Sequence, residues 1–361
     1  MTDSQIPPHN TSSKTKKVPI QERSFTMGNI TGVNGYRVNR TLLKRRFAEG
    51  GYQVHETERF LLFTRTEAPT TILVHRFGPE SIDADIGYYF MQELKPLGIL
   101  AQSENFGEVF GAVVCSLFPN DPFRALHLYG TNTLSRYHHL LTTASRHFLP
   151  SSPIDTFAQL YQRVCELLAG ERFLDAGCSF GFLPLLVSER VPSLTHVVGA
   201  DIRTDSFIIV RAIAEERRLK NVQFAQADLL ADDFGAIGIF DTVTALHVLE
   251  HFTEADMYRV LTNLLKVASR RLILAVPFES GEPESAYGHE QLFSHTKLEG
   301  VARWCIQQLA GDGRMWYEDC AGGLLVIERT PPPLHDTTEQ TREVNKKPKG
   351  ASHDEDPHLS L

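Results

Sequence analysis

The chain has 361 residues, which at roughly 150 residues per domain is room for about two domains. Hydrophobic residues make up 42% and charged residues 22%, values that exclude a chain disordered throughout. Lys plus Arg is 36 against Asp plus Glu 44, a net charge of -8. Phosphate affinity is mostly a Lys/Arg effect, so nucleic acid is not the expected partner. The five cysteines, Cys115, Cys165, Cys178, Cys305 and Cys320, lie far apart and form no C-x-x-C pair, so neither a zinc site nor a disulfide framework is expected, and a reducing cytoplasm fits. The first residues carry Lys14, Lys16 and Lys17 with no apolar core of a signal peptide. The most apolar stretch, Phe106 to Phe118, is too short to span a membrane and contains Glu108.

In chain order, residues 1–25 are Ser/Thr/Lys/Pro-rich without periodicity and are expected to be a disordered tail. Residues 26–150 mix strand patterns (Phe60 to Thr64, Thr71 to His75) with helix patterns (Ile86 to Leu97, Leu134 to Phe148), which predicts a small accessory α+β domain. Tyr137-His138-His139 invites a ligand reading, but adjacent helical residues point about 100° apart, so surface or core histidines are expected. From Asp155, Phe157, Leu160, Tyr161, Val164, Leu167 and Leu168 form one apolar helical stripe.

The pattern then alternates. Strands are predicted at 172–176, 196–201, 222–226, 240–246 and 271–276, and helices from 182, over 205–219, 254–267 and 296–309. Apolar strands alternating with helices predict an α/β fold, a doubly wound and mostly parallel sheet over residues 151–329. Strands at 315–320 and 324–328 are joined only by Ala321-Gly322-Gly323, too short for a crossover, and must form an antiparallel hairpin. That makes seven strands. Residues 330–361, with Pro331-Pro332-Pro333 and Asp354-Glu355-Asp356, are expected to be a second disordered tail.

The most informative segment is Asp175-Ala176-Gly177-Cys178-Ser179-Phe180-Gly181, a strand end running through a turn of small residues into a helix. Gly177, Ser179 and Gly181 let the backbone approach a ligand at the carboxyl end of the first strand, where open α/β sheets bind. Asp201 ends the second strand, where a carboxylate can accept both hydroxyls of a ribose, and Asp228 with Leu229 ends the third, near an adenine. In this order the features resemble class I S-adenosylmethionine-dependent methyltransferases, and the closing antiparallel hairpin matches that family's departure from a dinucleotide fold. The resemblance implies S-adenosyl-L-methionine as cofactor, with Asp175 orienting its methionine amino end, Asp201 its ribose and Asp228 its adenine. Ser179 stands where a glycine is usual. An NAD-dependent oxidoreductase is the alternative on the same topology, but Ser179 and Pro184 break the G-x-G-x-x-G turn that a pyrophosphate needs. A noncatalytic binding protein would show eroded cofactor residues, which these are not.

After the fourth strand, His247-Val248-Leu249-Glu250-His251-Phe252 resembles the same stretch of small-molecule O-methyltransferases. The transferred methyl already sits on a sulfonium, so such an enzyme mainly aligns the acceptor and, for a hydroxyl, removes its proton. His251, Glu250 and the later His289 are the candidate catalytic residues, His251 as base. Small-RNA 2′-O-methyltransferases and some ubiquinone-pathway enzymes carry E-x-x-E-H here and bind a divalent ion. The likeness makes Glu250, His251 and His289 candidate ligands for Mg or Mn, with His247 in place of the first Glu. Residues 287–293 and 320–325, with the accessory domain, look similar to the mycofactocin oligosaccharide methyltransferases. The expected activity is therefore O-methylation of a hydroxyl on a small molecule or glycan, with a phenol, quinone precursor or amine as the alternative acceptor.

Overall fold

The structure is a computed structural model and describes residues 23–101, 103–143 and 152–330. Nearly all of the two tails expected at the ends lies outside the described residues, but Ser24 and Phe25 of the first belong to a strand.

The N-terminal half is built on five strands, β1 (Ser24–Met27), β2 (Ile30–Asn34), β3 (Gln53–Glu56), β4 (Phe60–Arg65) and β5 (Ala68–His75), in the order β1-β2-β5-β4-β3. All neighbours are antiparallel except β2 and β5. The strand period of two sorts β4 onto two faces. Phe60 and Leu62 enter the large core, whereas Leu61 and Phe63 pack with Val33, Leu43 and Val74 under helix α1 (Arg40–Glu49). The chain continues through α2 (Ile86–Glu93), α3 (Ser103–Cys115), α4 (Pro122–Thr143) and α5 (Pro153–Leu167). The helix expected over 86–97 breaks after Glu93 into a 3-10 turn, Lys95–Leu97, that ends on left-handed Gly98. The helix expected from Leu134 starts twelve residues earlier, where the Asp121 carboxylate accepts the Arg124 N–H, and the rest of its expected span, 144–148, lies outside the described residues.

The second sheet alternates strand and helix: β6 (Arg172–Ala176), α6 (Phe182–Arg190), β7 (His196–Asp201), α7 (Phe207–Glu216), β8 (Val222–Gln226), β9 (Phe240–Leu246), α8 (Glu254–Val267), β10 (Ala268–Val276), α9 (His295–Gln308), β11 (Gly313–Asp319) and β12 (Gly323–Arg329). Its order is β11-β12-β10-β9-β6-β7-β8, parallel from β8 to β10 with β12 and β11 antiparallel, which is the expected seven-stranded, doubly wound sheet. The order reverses at β6, whose neighbours β7 and β9 lead away in opposite directions, and that reversal opens a crevice at the carboxyl ends.

Helices α8 and α9 cover one face of this sheet through Leu261, Leu264, Val301 and Cys305. The other face receives α5 and α6 through Leu160, Val164 and Val187. The largest core cluster joins the two sheets: it runs from Phe60 and Phe90 through Tyr129 and Tyr137 of α4 to Phe182, Ile213 and Phe224. Among the described residues, no helix is long and apolar enough to cross a membrane.

Candidate active site

The turn after β6 is shaped by backbone sterics. Gly177, Ser179 and Gly181 all have positive φ (79°, 51° and 89°). A Cβ on Gly177 would meet Val248 Cγ2 at 2.5 Å, and one on Gly181 would meet Phe224 Cε1 at 2.6 Å, so neither position has room for a side chain. Ser179 is a non-glycine residue held left-handed, and its N–H donates to Asp201 Oδ2 at 2.8 Å while its carbonyl accepts the Ser206 hydroxyl at 3.1 Å. These bonds offset the strain of a serine where glycine is usual. The N–H groups of Gly177 and Cys178 both donate to the Ala200 carbonyl, at 2.8 and 2.9 Å, which pins the turn to the end of β7.

Asp175 is buried at the end of β6, its Oδ1 accepting the Thr244 hydroxyl at 2.7 Å. Burial pushes its carboxyl up to about 7, the Thr244 bond pulls against this, and the charge of Asp201 adds to the rise. Asp201 spans the turn, with Oδ1 accepting the Arg203 N–H at 2.9 Å beside its bond from Ser179. Asp228 is exposed and accepts the Leu230 N–H at 2.9 Å, an Asx-type turn. The Leu229 side chain is buried in the core cluster that includes α8, beside Asp228. Cys178 is buried as the small filler expected.

The second cluster follows β9. His247 is left-handed (φ 54°), its N–H donates to the Ala275 carbonyl at 2.8 Å, and its ring packs on Phe157 of α5 at 5.0 Å. Burial, with the nearby charges of His289 and His251, lowers it to about 4, so the ring is neutral. Glu250 is fully buried, neither carboxyl oxygen has a hydrogen-bond partner, and Oε1 lies 3.5 Å from His247 Nδ1. Burial raises this carboxyl to about 8. His251 Nδ1 lies 3.1 Å from the Gly288 carbonyl, which can only accept, so Nδ1 carries the proton and Nε2 keeps its lone pair. Desolvation lowers the pKa of His251. His289 Nδ1 pairs with Glu279 Oε2 at 3.0 Å, and its Nε2 lies on the opposite edge of the ring. The two imidazoles meet edge to face at 5.0 Å. Ligand-capable atoms of Glu250, His251 and His289 all lie within 4.8 Å of one another. A carboxylate or carbonyl behind each imidazole is the arrangement that orients metal-binding histidines.

Sequence reasoning did not identify Glu279, and its only signal is its place in the same polar loop, ten residues before His289. It also did not anticipate Gln291, whose amide donates to the Leu249 and Phe252 carbonyls at 2.9 and 2.8 Å and ties the loop to the 249–252 turn. Nor did it foresee how the N-terminal half reaches this loop, through a Lys95–Glu284 ion pair and the Phe106 ring against Tyr287 at 5.6 Å. The histidines of Tyr137-His138-His139 are structural as expected, with His138 paired to Glu189. Phe293 and Leu298 pack in the core, also as expected.

Residues 173–270 match a family described as a methyltransferase domain. No curated protein matches the chain. Among solved structures, the chain is similar to the methyltransferase domain of a bacterial Hen1 protein (CtHen1-CN), 15% identical over 48% of this chain and 99% of that one, with a TM-score of 0.40. It is also similar to magnesium protoporphyrin IX methyltransferase from Synechocystis PCC 6803 (17% identity, 55% and 95% covered, TM-score 0.38). A third is an O-methyltransferase family protein from Burkholderia thailandensis (15% identity, 68% and 93% covered, TM-score 0.39). Likenesses at this level say nothing of an acceptor, and none points to the mycofactocin enzymes in particular. Together with the glycine turn and the strand order, the match over 173–270 places a methyltransferase domain on the doubly wound sheet.

Proposed function

We propose that the protein transfers the methyl of S-adenosylmethionine to a hydroxyl oxygen of a small molecule or glycan. The observation that carries this reading is the convergence of Glu250, His251 and His289 beside the glycine turn, reached through Val248, whose side chain closes on Gly177. S-adenosylmethionine supplies a methyl already activated on sulfur. What remains for the protein is to hold the donor, align the acceptor and take its proton. Asp175 would receive the donor's ammonium in its buried pocket, Asp201 its ribose hydroxyls, and Asp228 and the Leu229 backbone its adenine. An acceptor hydroxyl at the free Nε2 of His251 would lose its proton to a neutral imidazole whose other nitrogen is anchored on Gly288.

The donor set also fits a divalent cation. Glu250 is an orphaned buried carboxyl, and two imidazoles stand beside it. Glu250, His251 and His289 would hold Mg²⁺ or Mn²⁺, which polarises an acceptor oxygen.

The test is methyl transfer from labelled donor to a panel of oligosaccharide, phenol, amine and oligoribonucleotide acceptors. Activity is expected on a hydroxyl acceptor, falling on the order of 100-fold in His251→Ala, the usual range for lost acid-base assistance, while S-adenosylhomocysteine still binds. Transfer confined to amines, or activity untouched by His251→Ala, overturns the hydroxyl reading. For the cation, calorimetric titration with Mn²⁺ is expected to show one saturable site that disappears in Glu250→Gln. An unchanged titration in that variant rules out Glu250 as a ligand.

A further inference from the structure

The N-terminal half holds a cavity of about 390 Å³ that the methyltransferase site does not use, within the range of small-molecule pockets. Its walls carry the side chains of Arg59, Arg76, Arg136, Asp83, Asp85 and Tyr89. Their partners decide what it can hold. Arg59 is already balanced, bonded to Glu93 at 2.7 Å and Glu58 at 3.0 Å, with its guanidinium over the Tyr89 ring at 3.9 Å. Tyr89 in turn stacks on Phe77, so this side of the cavity is a fixed wall.

The other two arginines have fewer partners, one acid for Arg136 and none among the described residues for Arg76. Arg76 donates only to the Glu58 carbonyl, at 3.0 Å, and makes no ion pair among the described residues. Arg136 makes a longer ion pair, 3.6 Å, with the buried Asp155. The two acids are committed elsewhere. Asp85 Oδ1 accepts the Ile154 N–H at 3.2 Å at the start of α5, and Asp83 Oδ1 accepts the Asp85 N–H at 3.1 Å. Burial and the neighbouring Asp85 charge raise the pKa of Asp83, while the bond from the Asp85 N–H and the charge of Arg136 pull against this.

We propose that this cavity is a second ligand site, one that takes a small polar molecule through an oxyanion, a carboxylate or a phosphate, held by Arg76 and Arg136. Guanidinium forks match the oxygens of either group, and Asp83 and Asp85 offer partners for the hydroxyls such a molecule carries. The site stands independently of the methyl-transfer reading, since none of its residues belongs to the donor or acceptor machinery.

Calorimetric titration at fixed ionic strength, with glucose 6-phosphate, inorganic phosphate, acetate and glucose as probes, tests it. Saturable binding is expected for at least one oxyanion and not for glucose; phosphate against acetate separates the two chemistries. Losing one charged hydrogen bond should weaken binding by about tenfold or more in Arg76→Ala and in Arg136→Ala. Arg76 is exposed and supports little else, so its variant keeps the fold, which S-adenosylhomocysteine binding and an unchanged melting curve would verify. No saturable oxyanion binding up to about 10 mM, or equal binding in both variants, overturns the proposal.

Discussion

At the residue scale, Asp175 ties folding to ligand binding. Its carboxyl ionises near pH 7 in the folded protein and near 4 when unfolded. Between those values the unfolded chain has released a proton that the folded one keeps, so this group's contribution to stability falls as pH rises from about 4 to about 7 and is level above. Asp175→Asn retains an acceptor for the Thr244 hydroxyl and removes the buried charge. The variant should therefore melt a few degrees above the parent at pH 8 and about level with it at pH 4, while binding S-adenosylhomocysteine at least about tenfold more weakly. Thermal unfolding across pH and calorimetric titration check both halves. A variant less stable than the parent at pH 8 would contradict the burial argument.

The same scale shows what the sequence could and could not disclose about the site. The turn of Asp175, Gly177, Ser179, Gly181 and Asp201 is legible because left-handed backbone and close packing impose small residues at fixed spacing along one segment. Glu250, His251 and His289 were legible only as types, since their meeting depends on the loop after β10 folding back so that the Glu290 N–H reaches the Glu250 carbonyl at 2.8 Å. Glu279 was invisible for that reason. A carboxylate on a polar loop announces nothing until the histidine it orients is seen beside it.

At the element scale, the glycine turn and the stretch after β9 are one packed unit. Gly177→Ala would combine a left-handed alanine, about 1–2 kcal/mol, with a methyl at 2.5 Å from Val248 Cγ2. Valine is stiff about χ1 and nearly buried, so the clash adds about 1–3 kcal/mol. Val248→Ala removes the clash and leaves the backbone strain. Denaturant unfolding of the two single variants and the double variant should show the double about 1–2 kcal/mol more stable than the sum of the singles predicts. Additive losses would mean that the two segments do not press on each other.

Element legibility divided along the same line. The second sheet is readable because its central strands are largely apolar and buried and helices such as α5 carry a clear stripe, with Ser152 capping the Asp155 N–H. The N-terminal half hid β1 and β3, which are four residues long and largely exposed, and α1, whose only buried residue is Leu43. Helix α3 reads only as an apolar stretch too short for a membrane, because its second half, Val109 and Gly111 to Cys115, is buried on every side and has no polar residue to give it a period.

At the scale of the whole molecule, the described residues up to Arg329 form one compact unit, and α4 joins its two sheets through the largest core cluster. Gly130 of α4 lies so close to the glycine turn that a Cβ there would sit 2.8 Å from Ile213 Cδ1 and 2.9 Å from Phe180 Cε1. Phe180 belongs to the glycine turn and stacks on Phe182, while Tyr129 packs on both. Gly130→Val should therefore wedge α4 away from α6 and α7, costing about 1–3 kcal/mol and weakening donor binding although residue 130 touches no donor-binding acid. The shared core also predicts one cooperative transition for both sheets, with calorimetric and van't Hoff enthalpies equal. S-adenosylhomocysteine is expected to bind only the second sheet, yet at about 100 times its dissociation constant it should stabilise by about 2.7 kcal/mol and raise the protection of slowly exchanging amides in β4 and β5 as much as those in β6 and β9. Protection confined to the second sheet, or two separate calorimetric transitions, would show that the core through Tyr129 and Tyr137 does not couple the halves.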